Sequence, residues 1–223
     1  MSIKTLYLIL YNFLQFCGWT FFFIKVTNNL MLSKSLEEIY SSTHIILEIC
    51  QYGAFLEIIH SLIGIVKSSI FATSIQIIGR IIIVVILSNF PSAVSKGYLL
   101  LYFAWSIIEI IRYIYYIMSL YQKESHNFNI PYILIWCRYS FFIVLYPIGV
   151  SGEMLTVWNA RKDFHKFVIY QGNNYNITVA DLVYPVWLLY IPALIYPYGY
   201  LFKQRKKVLN RLNNEKIKAK KTE

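Results

Sequence analysis

Six long apolar stretches, at about 6–24, 43–66, 70–90, 98–120, 131–150 and 183–202, decide what this 223-residue chain can fold into. A spanning helix takes about 20 mostly apolar residues, since each adds about 1.5 Å toward a hydrocarbon core about 30 Å thick. Polar punctuation separates the stretches: Thr27-Asn28-Asn29, Lys67-Ser68-Ser69, Pro91-Ser92, Lys123-Glu124-Ser125 and Gln171-Gly172-Asn173-Asn174. Charged residues make up 14% of the chain, against about 25% in soluble domains, so they cannot coat a water-facing globule. The 57% apolar content rules out disorder, and three cysteines are too few for a disulfide scaffold. No stretch keeps the two-residue alternation of a membrane barrel. The expected fold is therefore all-α: a polytopic membrane protein with six transmembrane helices in one bundle over 1–202, then a basic tail, 203–223. The first stretch reads as a retained span, because it is too long for a signal peptide's apolar region and no small-residue cleavage site comes after it.

The net charge of +10 is concentrated at the end. Residues 203–223 hold nine Lys/Arg against two Glu, as expected of a cytosolic end beside anionic lipid. Six crossings put both termini on that side. Twelve basic residues then face the cytosol, and six (Lys25, Lys34, Lys96, Arg161, Lys162, Lys166) face the lumen. The acceptor Asn176-Ile177-Thr178 falls in a lumenal loop, close to the next span. Nucleic acid is not an expected partner, since no folded basic domain remains to bind it. Lys220-Lys221, third and fourth from the end, look like a dilysine signal for the endoplasmic reticulum.

Ionisable side chains inside the spans are the next clue: Glu48, Glu57, His60, Arg80, Glu109, Arg112 and Arg138, with Glu153 just past the fifth. Each costs at least about 2.5–3.5 kcal/mol at the bilayer centre unless it faces the bundle interior. Glu57 and His60 share a helical face, as do Glu109 and Arg112, each pair being three residues apart. Such residues can be buried pairs that fix helix register. As a set, beside Tyr-rich spans, they point to a polar cavity.

The fifth span ends Leu145-Tyr146-Pro147-Ile148-Gly149-Val150-Ser151-Gly152-Glu153. Pro147 removes a backbone hydrogen bond, and the two glycines loosen the turns after it, so a kink or unwound turn is expected between Tyr146 and Glu153. Seven residues place both side chains on one helical face, about 10.5 Å apart along the axis. A phenol and a carboxylate so placed could give a proton to one substrate atom and take one from its neighbour. Spacing alone also fits, and slightly favours, an interfacial Tyr and a solvated Glu on a kinked helix.

Several motifs, one after another in separate spans, add to that reading. They are Tyr11-Asn12-Phe13-Leu14-Gln15-Phe16 with Gly18-Trp19, Leu56-Glu57-Ile58-Ile59-His60-Ser61-Leu62 with Gly64, and Gln76 with Arg80. Trp105-Ser106 with Glu109 and Ile111-Arg112-Tyr113 come next, then Arg138-Tyr139 and the segment 145–153. From the first span to about residue 200, the chain resembles the very-long-chain 3-hydroxyacyl-CoA dehydratases of fatty-acid elongation, once called protein-tyrosine-phosphatase-like proteins. The resemblance implies a lyase in the endoplasmic reticulum membrane, converting a 3-hydroxyacyl-CoA to the trans-2-enoyl-CoA. It implies Tyr146 and Glu153 as the catalytic pair, with Glu57, His60, Arg80, Glu109, Arg112, Tyr113 and Arg138 supporting them or orienting substrate. Nothing is oxidised, so no cofactor or metal is expected. The partners it implies are membrane lipid and the condensing enzyme, ketoacyl-CoA reductase and enoyl-CoA reductase of the same cycle. Residues 160–182 match the family least.

Acid strength suggests Glu153 as base and Tyr146 as acid; a desolvated, protonated Glu153 would reverse them. Arg112, Arg138 and His60 are candidates to orient the pair or meet the charge on the thioester oxygen. With the fifth span starting near Ile130 on the cytosolic side, Tyr146 lies about 24 Å along the helix, so the acyl-CoA arm must thread the bundle. Phosphatase chemistry would need an Arg six residues after a Cys, but Phe23, Leu56 and Ile143 follow Cys17, Cys50 and Cys137 at that spacing. Gly149-Val150-Ser151-Gly152 resembles the nucleophile turn of an intramembrane serine protease. Its base would have to be His165, in a loop, or His60, in the wrong order. His44, His60, His126 and His165 form no cluster for a condensing enzyme or desaturase, and no Gly-x-Gly-x-x-Gly supports a reductase. The alternative from another class is a non-catalytic adaptor or transporter of the elongation machinery. A transporter's mark would be two matching halves, and the Tyr-Pro pairs at 146, 184 and 196 all fall in the second half.

Overall fold

A computed structural model describes residues 2–125, 128–172 and 176–222, leaving aside the side chains of 189, 191–197 and 215–222. His126, Asn173 and Asn174 of the polar gap at 171–174, and the side chains of Lys220 and Lys221 lie outside the described residues. Among the described residues, seven α-helices carry the chain: α1 (Ile3–Met31), α2 (Leu36–Leu62), α3 (Ile70–Asn89), α4 (Lys96–Glu124), α5 (Tyr132–Ser140), α6 (Phe142–Phe164) and α7 (Val183–Thr222). A two-stranded antiparallel hairpin, β1 (Val168–Gln171) and β2 (Asn176–Thr178), sits in the loop before α7. Asn176 of the glycosylation acceptor is thus an exposed residue of β2.

Serines open the first four helices. Ser2, Ser35, Ser69 and Ser95 each accept a backbone N–H of the first turn, satisfying a donor that has no partner within the helix. At α2 the cap is reciprocal, with Glu38 reaching back to the Ser35 amide. In α1 the buried residues recur in steps of three and four (Leu8, Tyr11, Gln15, Trp19, Phe22, Val26, Asn29), which makes one seam facing the bundle. The opposite faces are rich in exposed Leu, Ile and Phe, as lipid contact requires.

Among the described residues, four helices (α1 to α4) are long and apolar enough to cross a membrane, and the bent pair α5–α6 makes a fifth crossing. The sixth expected span, 183–202, is helical throughout as the first half of α7, which runs unbroken into the basic segment. The ends are tied at opposite poles. Thr5 Oγ1 donates to Glu124 Oε1 at 2.8 Å at one. At the other, the Ser92 amide donates to Asp163 Oδ2 at 3.2 Å and Asn159 Nδ2 to Ser95 Oγ at 3.2 Å.

α4 is the central helix, packed on α1 along one side and α6 along the other. Its crossing with α6 is made by two glycines. A Cβ on Gly97 would stand 2.8 Å from the Gly152 carbonyl oxygen, and one on Gly152 would stand 2.9 Å from that of Gly97. The α1–α2 crossing works the same way, because Gln15 Nε2 fills the space beside Gly53 and Cys50 Sγ that beside Gly18.

The expected break between Tyr146 and Glu153 lies elsewhere. The chain bends by 41° at Phe141, between α5 and α6, and α6 stays helical through Pro147. Pro147 does deprive the Ile143 carbonyl of its helical donor. The Tyr198 hydroxyl of α7 supplies one, at 2.8 Å. Gly149 and Gly152, expected to loosen the helix, are buried and admit α4 instead.

Candidate active site

Charge enters the bundle on three neighbouring helices and closes into one network. Arg80 on α3 pairs with Glu109 Oε1 on α4. One turn along α4, Arg112 Nε lies 2.8 Å from Glu109 Oε2, an ion pair outside hydrogen-bond geometry. Arg112 Nη2 donates to Glu57 Oε1 on α2 at 2.6 Å and to the Tyr113 hydroxyl at 2.6 Å. Tyr113 and Tyr11 then donate to the same Glu57 oxygen, at 2.7 and 3.3 Å. Two arginines and two glutamates cancel, and Glu109 is only 1% exposed. A buried ion is tolerated only when it is paired and hydrogen-bonded, and here the partners come from four helices.

The network's Arg80 end reaches the fifth span. Its guanidinium lies over the Trp105 ring, 5.1 Å from the centroid, and Trp105 Nε1 donates to Glu153 Oε1 at 3.3 Å. Tyr190 of α7 donates to the other oxygen, Oε2. Each carboxylate oxygen of Glu153 thus accepts from a different helix. Tyr146 projects from α6 beside Tyr198, the rings stacked 5.6 Å apart at 19°. Arg80, Tyr146, Glu153 and Tyr190 all lie within electrostatic reach of one another. Among the described residues, the Tyr146 hydroxyl has no hydrogen-bond partner. A phenol, a carboxylate and a cation therefore lie near one another inside the bundle, the set that proton transfer beside a developing negative charge requires.

Of the residues singled out in the sequence, Glu57, Arg80, Glu109, Arg112 and Tyr113 come together in the network, and Arg80 links it to Tyr146 and Glu153. His60 does not join the pair. Its Nε2 is 2.8 Å from the Tyr7 hydroxyl and its ring packs edge-on against Tyr11. Arg138 also stands apart, donating to the Tyr116 hydroxyl at 3.4 Å and lying over the Tyr116 and Tyr139 rings. The cation beside the pair is Arg80, rather than Arg112, Arg138 or His60. Ser151 does not meet a histidine; its hydroxyl donates to the Pro147 carbonyl at 2.8 Å. Trp105, Tyr190 and Tyr198 hold the pair without having been picked out as site residues. Only their spacing on α7 could have flagged the two tyrosines, which are eight residues, about two turns, apart.

A helical membrane bundle with a phenol, a carboxylate and an arginine gathered inside it defines a polytopic membrane protein with an intramembrane polar site. The chain belongs to the family described as Protein tyrosine phosphatase-like protein, PTPLA, which matches residues 51–211. It is 35% identical over 220 residues to the very-long-chain (3R)-3-hydroxyacyl-CoA dehydratase hpo-8 of Caenorhabditis elegans, covering 94% of this chain and 96% of that one. With very-long-chain (3R)-3-hydroxyacyl-CoA dehydratase 2 of Homo sapiens it shares 34% over 221 residues, 96% of this chain and 85% of the relative. The dehydratase PASTICCINO 2A of Oryza sativa subsp. japonica is 36% identical over 217 residues, 93% and 95% of the two chains. No solved structure matches the chain.

Proposed function

We propose that this protein is a hydro-lyase that dehydrates long- or very-long-chain 3-hydroxyacyl-CoA to the trans-2-enoyl-CoA, the third step of fatty-acid elongation, with Glu153 and Tyr146 as its acid–base pair. Full-length similarity to dehydratases supports the reaction. The observation that carries the site is the gathering of Tyr146, Glu153 and Arg80 at one place in the bundle.

In this reading, the Glu153 carboxylate takes a proton from C2, which the thioester acidifies. The electron pair forms the C2=C3 double bond as the C3–O bond breaks, and the departing hydroxyl takes the Tyr146 proton to leave as water. Proton return from Glu153 to the phenolate resets the pair. Arg80 lies nearby to offset negative charge on the thioester oxygen, and the Tyr146 hydroxyl, without a hydrogen-bond partner among the described residues, can meet the leaving group. Glu57, Glu109, Arg112 and Tyr113 hold Arg80 in place.

The same proposal puts the protein in the endoplasmic reticulum membrane with both termini cytosolic. Residues 1–202 form the catalytic bundle and 203–223 a basic tail on anionic lipid. Its partners are the condensing enzyme and the two reductases of the cycle. The test is turnover of a long-chain 3-hydroxyacyl-CoA by the purified full-length chain in mild detergent, beside Tyr146→Phe and Glu153→Gln, each checked for folding. Collapse in both variants supports the pair. Survival of both refutes the site, and a folded wild type inactive across chain lengths refutes the reaction.

A further inference from the structure

We infer that Tyr198 of α7 is a positioning residue for Tyr146, acting on it through both the backbone and the ring; this rests on Tyr146 being the proton donor. Pro147 stands immediately after Tyr146 and has no N–H, so the turn that carries the phenol lacks one rung of its helical ladder. In a membrane bundle, a carbonyl without a donor has no water to turn to. The freed carbonyl is that of Ile143, and the Tyr198 hydroxyl donates to it at 2.8 Å. The ring on that hydroxyl stacks on the Tyr146 ring, 5.6 Å away and 19° from parallel. One side chain therefore closes the gap in the helix and lies flat against the phenol beside it.

Tyr198 is itself fixed from behind. Phe142 and Phe202 meet its ring edge-on, at 5.6 and 5.1 Å, and meet each other at 5.1 Å. Eight residues earlier on the same helix, Tyr190 holds Glu153. One helix thus sets both members of the pair, each through a tyrosine. Pro147 makes the donor's turn the one part of α6 that cannot hold itself, and α7 supplies the missing constraint. The register of α7 along α6 therefore sets the reach of the Tyr146 hydroxyl toward a bound substrate.

Two substitutions separate the two contacts. Tyr198→Phe keeps the stack and loses the bond to Ile143; Tyr198→Leu loses both. Displacements of about 1 Å can cost on the order of a hundredfold in rate, so the expected falls in kcat are about fivefold for Tyr198→Phe and about fiftyfold for Tyr198→Leu. KM stays within about twofold, because the contact bears on the donor and not on acyl-chain binding, while melting temperature falls in both variants as the Ile143 carbonyl loses its donor. In a Tyr146→Phe background, Tyr198→Leu lowers the residual rate no further, since the group it positions is gone. Unchanged kcat in both variants, a loss carried by KM, or losses that multiply in the Tyr146→Phe background would overturn the inference. If Tyr198→Leu does not fold, Tyr198→Phe decides: a lower kcat at unchanged KM, in protein still folded at the assay temperature, supports the role, and full turnover overturns it. Full turnover by Tyr146→Phe removes the donor assignment as well. An inactive Tyr146→Phe beside fully active Tyr198 variants removes only the role of Tyr198.

Discussion

Gly97 and Gly152 face each other across the α4–α6 crossing, each backbone standing where the other's side chain would be. That approach brings Trp105 of α4 to Glu153 of α6. A methyl at Gly152 would meet backbone on α4 (the Leu101 nitrogen at 2.9 Å), which cannot yield as a flexible side chain would. Gly152→Ala should lower stability by about 1–3 kcal/mol, the usual range for overpacking, and cut turnover with it. Gly149→Ala, whose nearest neighbour is the Ala104 Cβ at 3.4 Å, should be far milder. Thermal unfolding in detergent and kcat for both variants check the contrast; equal effects would refute the crossing as drawn.

The ion network makes a prediction about pairs. Glu57→Gln leaves two arginines against one carboxylate, and Arg112→Met leaves two carboxylates against one arginine. Each single change should cost about 3–5 kcal/mol, because an uncompensated ion stays buried. The double variant leaves Arg80 and Glu109 balanced, and should be more stable than the sum of the two losses allows. A double-mutant cycle on unfolding midpoints reads this directly, and additive losses would rule the network out.

Both donors to Glu153 can be removed one at a time. Tyr190→Phe and Trp105→Phe each delete one hydrogen bond to the carboxylate while keeping an aromatic ring. Hydrogen bonds to charged groups contribute about 1.5–3 kcal/mol, so each should reduce kcat by about tenfold or more. Steady-state kinetics at saturating substrate settles it. Full turnover in both would mean that Glu153 needs no orienting.

Asp181, in the loop before α7, titrates outside the spans. Its carboxylate accepts from the Thr178 amide at 2.8 Å and from the Thr178 hydroxyl at 2.8 Å, and these bonds hold it below its ordinary value of 3.8. A carboxylate with a depressed folded value contributes stability that is complete above the unfolded value and disappears as pH falls through the folded one. The difference in unfolding temperature between wild type and Asp181→Asn should therefore hold steady near neutrality and close only below about the ordinary carboxylate range. A gap that closes at pH 6 would contradict this.

The spans were legible because hydropathy is local: 20 residues report their own environment. Side-chain partners across helices were not. Glu57 and His60 share a face, yet Glu57 pairs with Arg112 and His60 with Tyr7, on two other helices. Glu109 and Arg112, also three apart, do meet each other. Tyr190 and Tyr198 were hidden among 20 tyrosines, since what makes each matter is the residue across from it. Pro147 misled for a related reason. Whether a proline breaks a helix depends on what answers the freed carbonyl, and here the donor comes from residue 198.

The distribution of the four network charges bears on how the chain is made. α4 carries Glu109 and Arg112 together and enters the bilayer neutral, whereas α2 brings an unmatched Glu57 and α3 an unmatched Arg80. Those two helices are synthesised first, so both carry lone charges until α4 arrives to answer each of them. Biogenesis therefore has to keep α2 and α3 together, sheltered from lipid, while about 30 further residues emerge, roughly two seconds at 15 residues per second. A substitution at Glu109 or Arg112 would leave them waiting for a partner that cannot complete the set, and the quality-control machinery of the membrane would meet the fault before any substrate did.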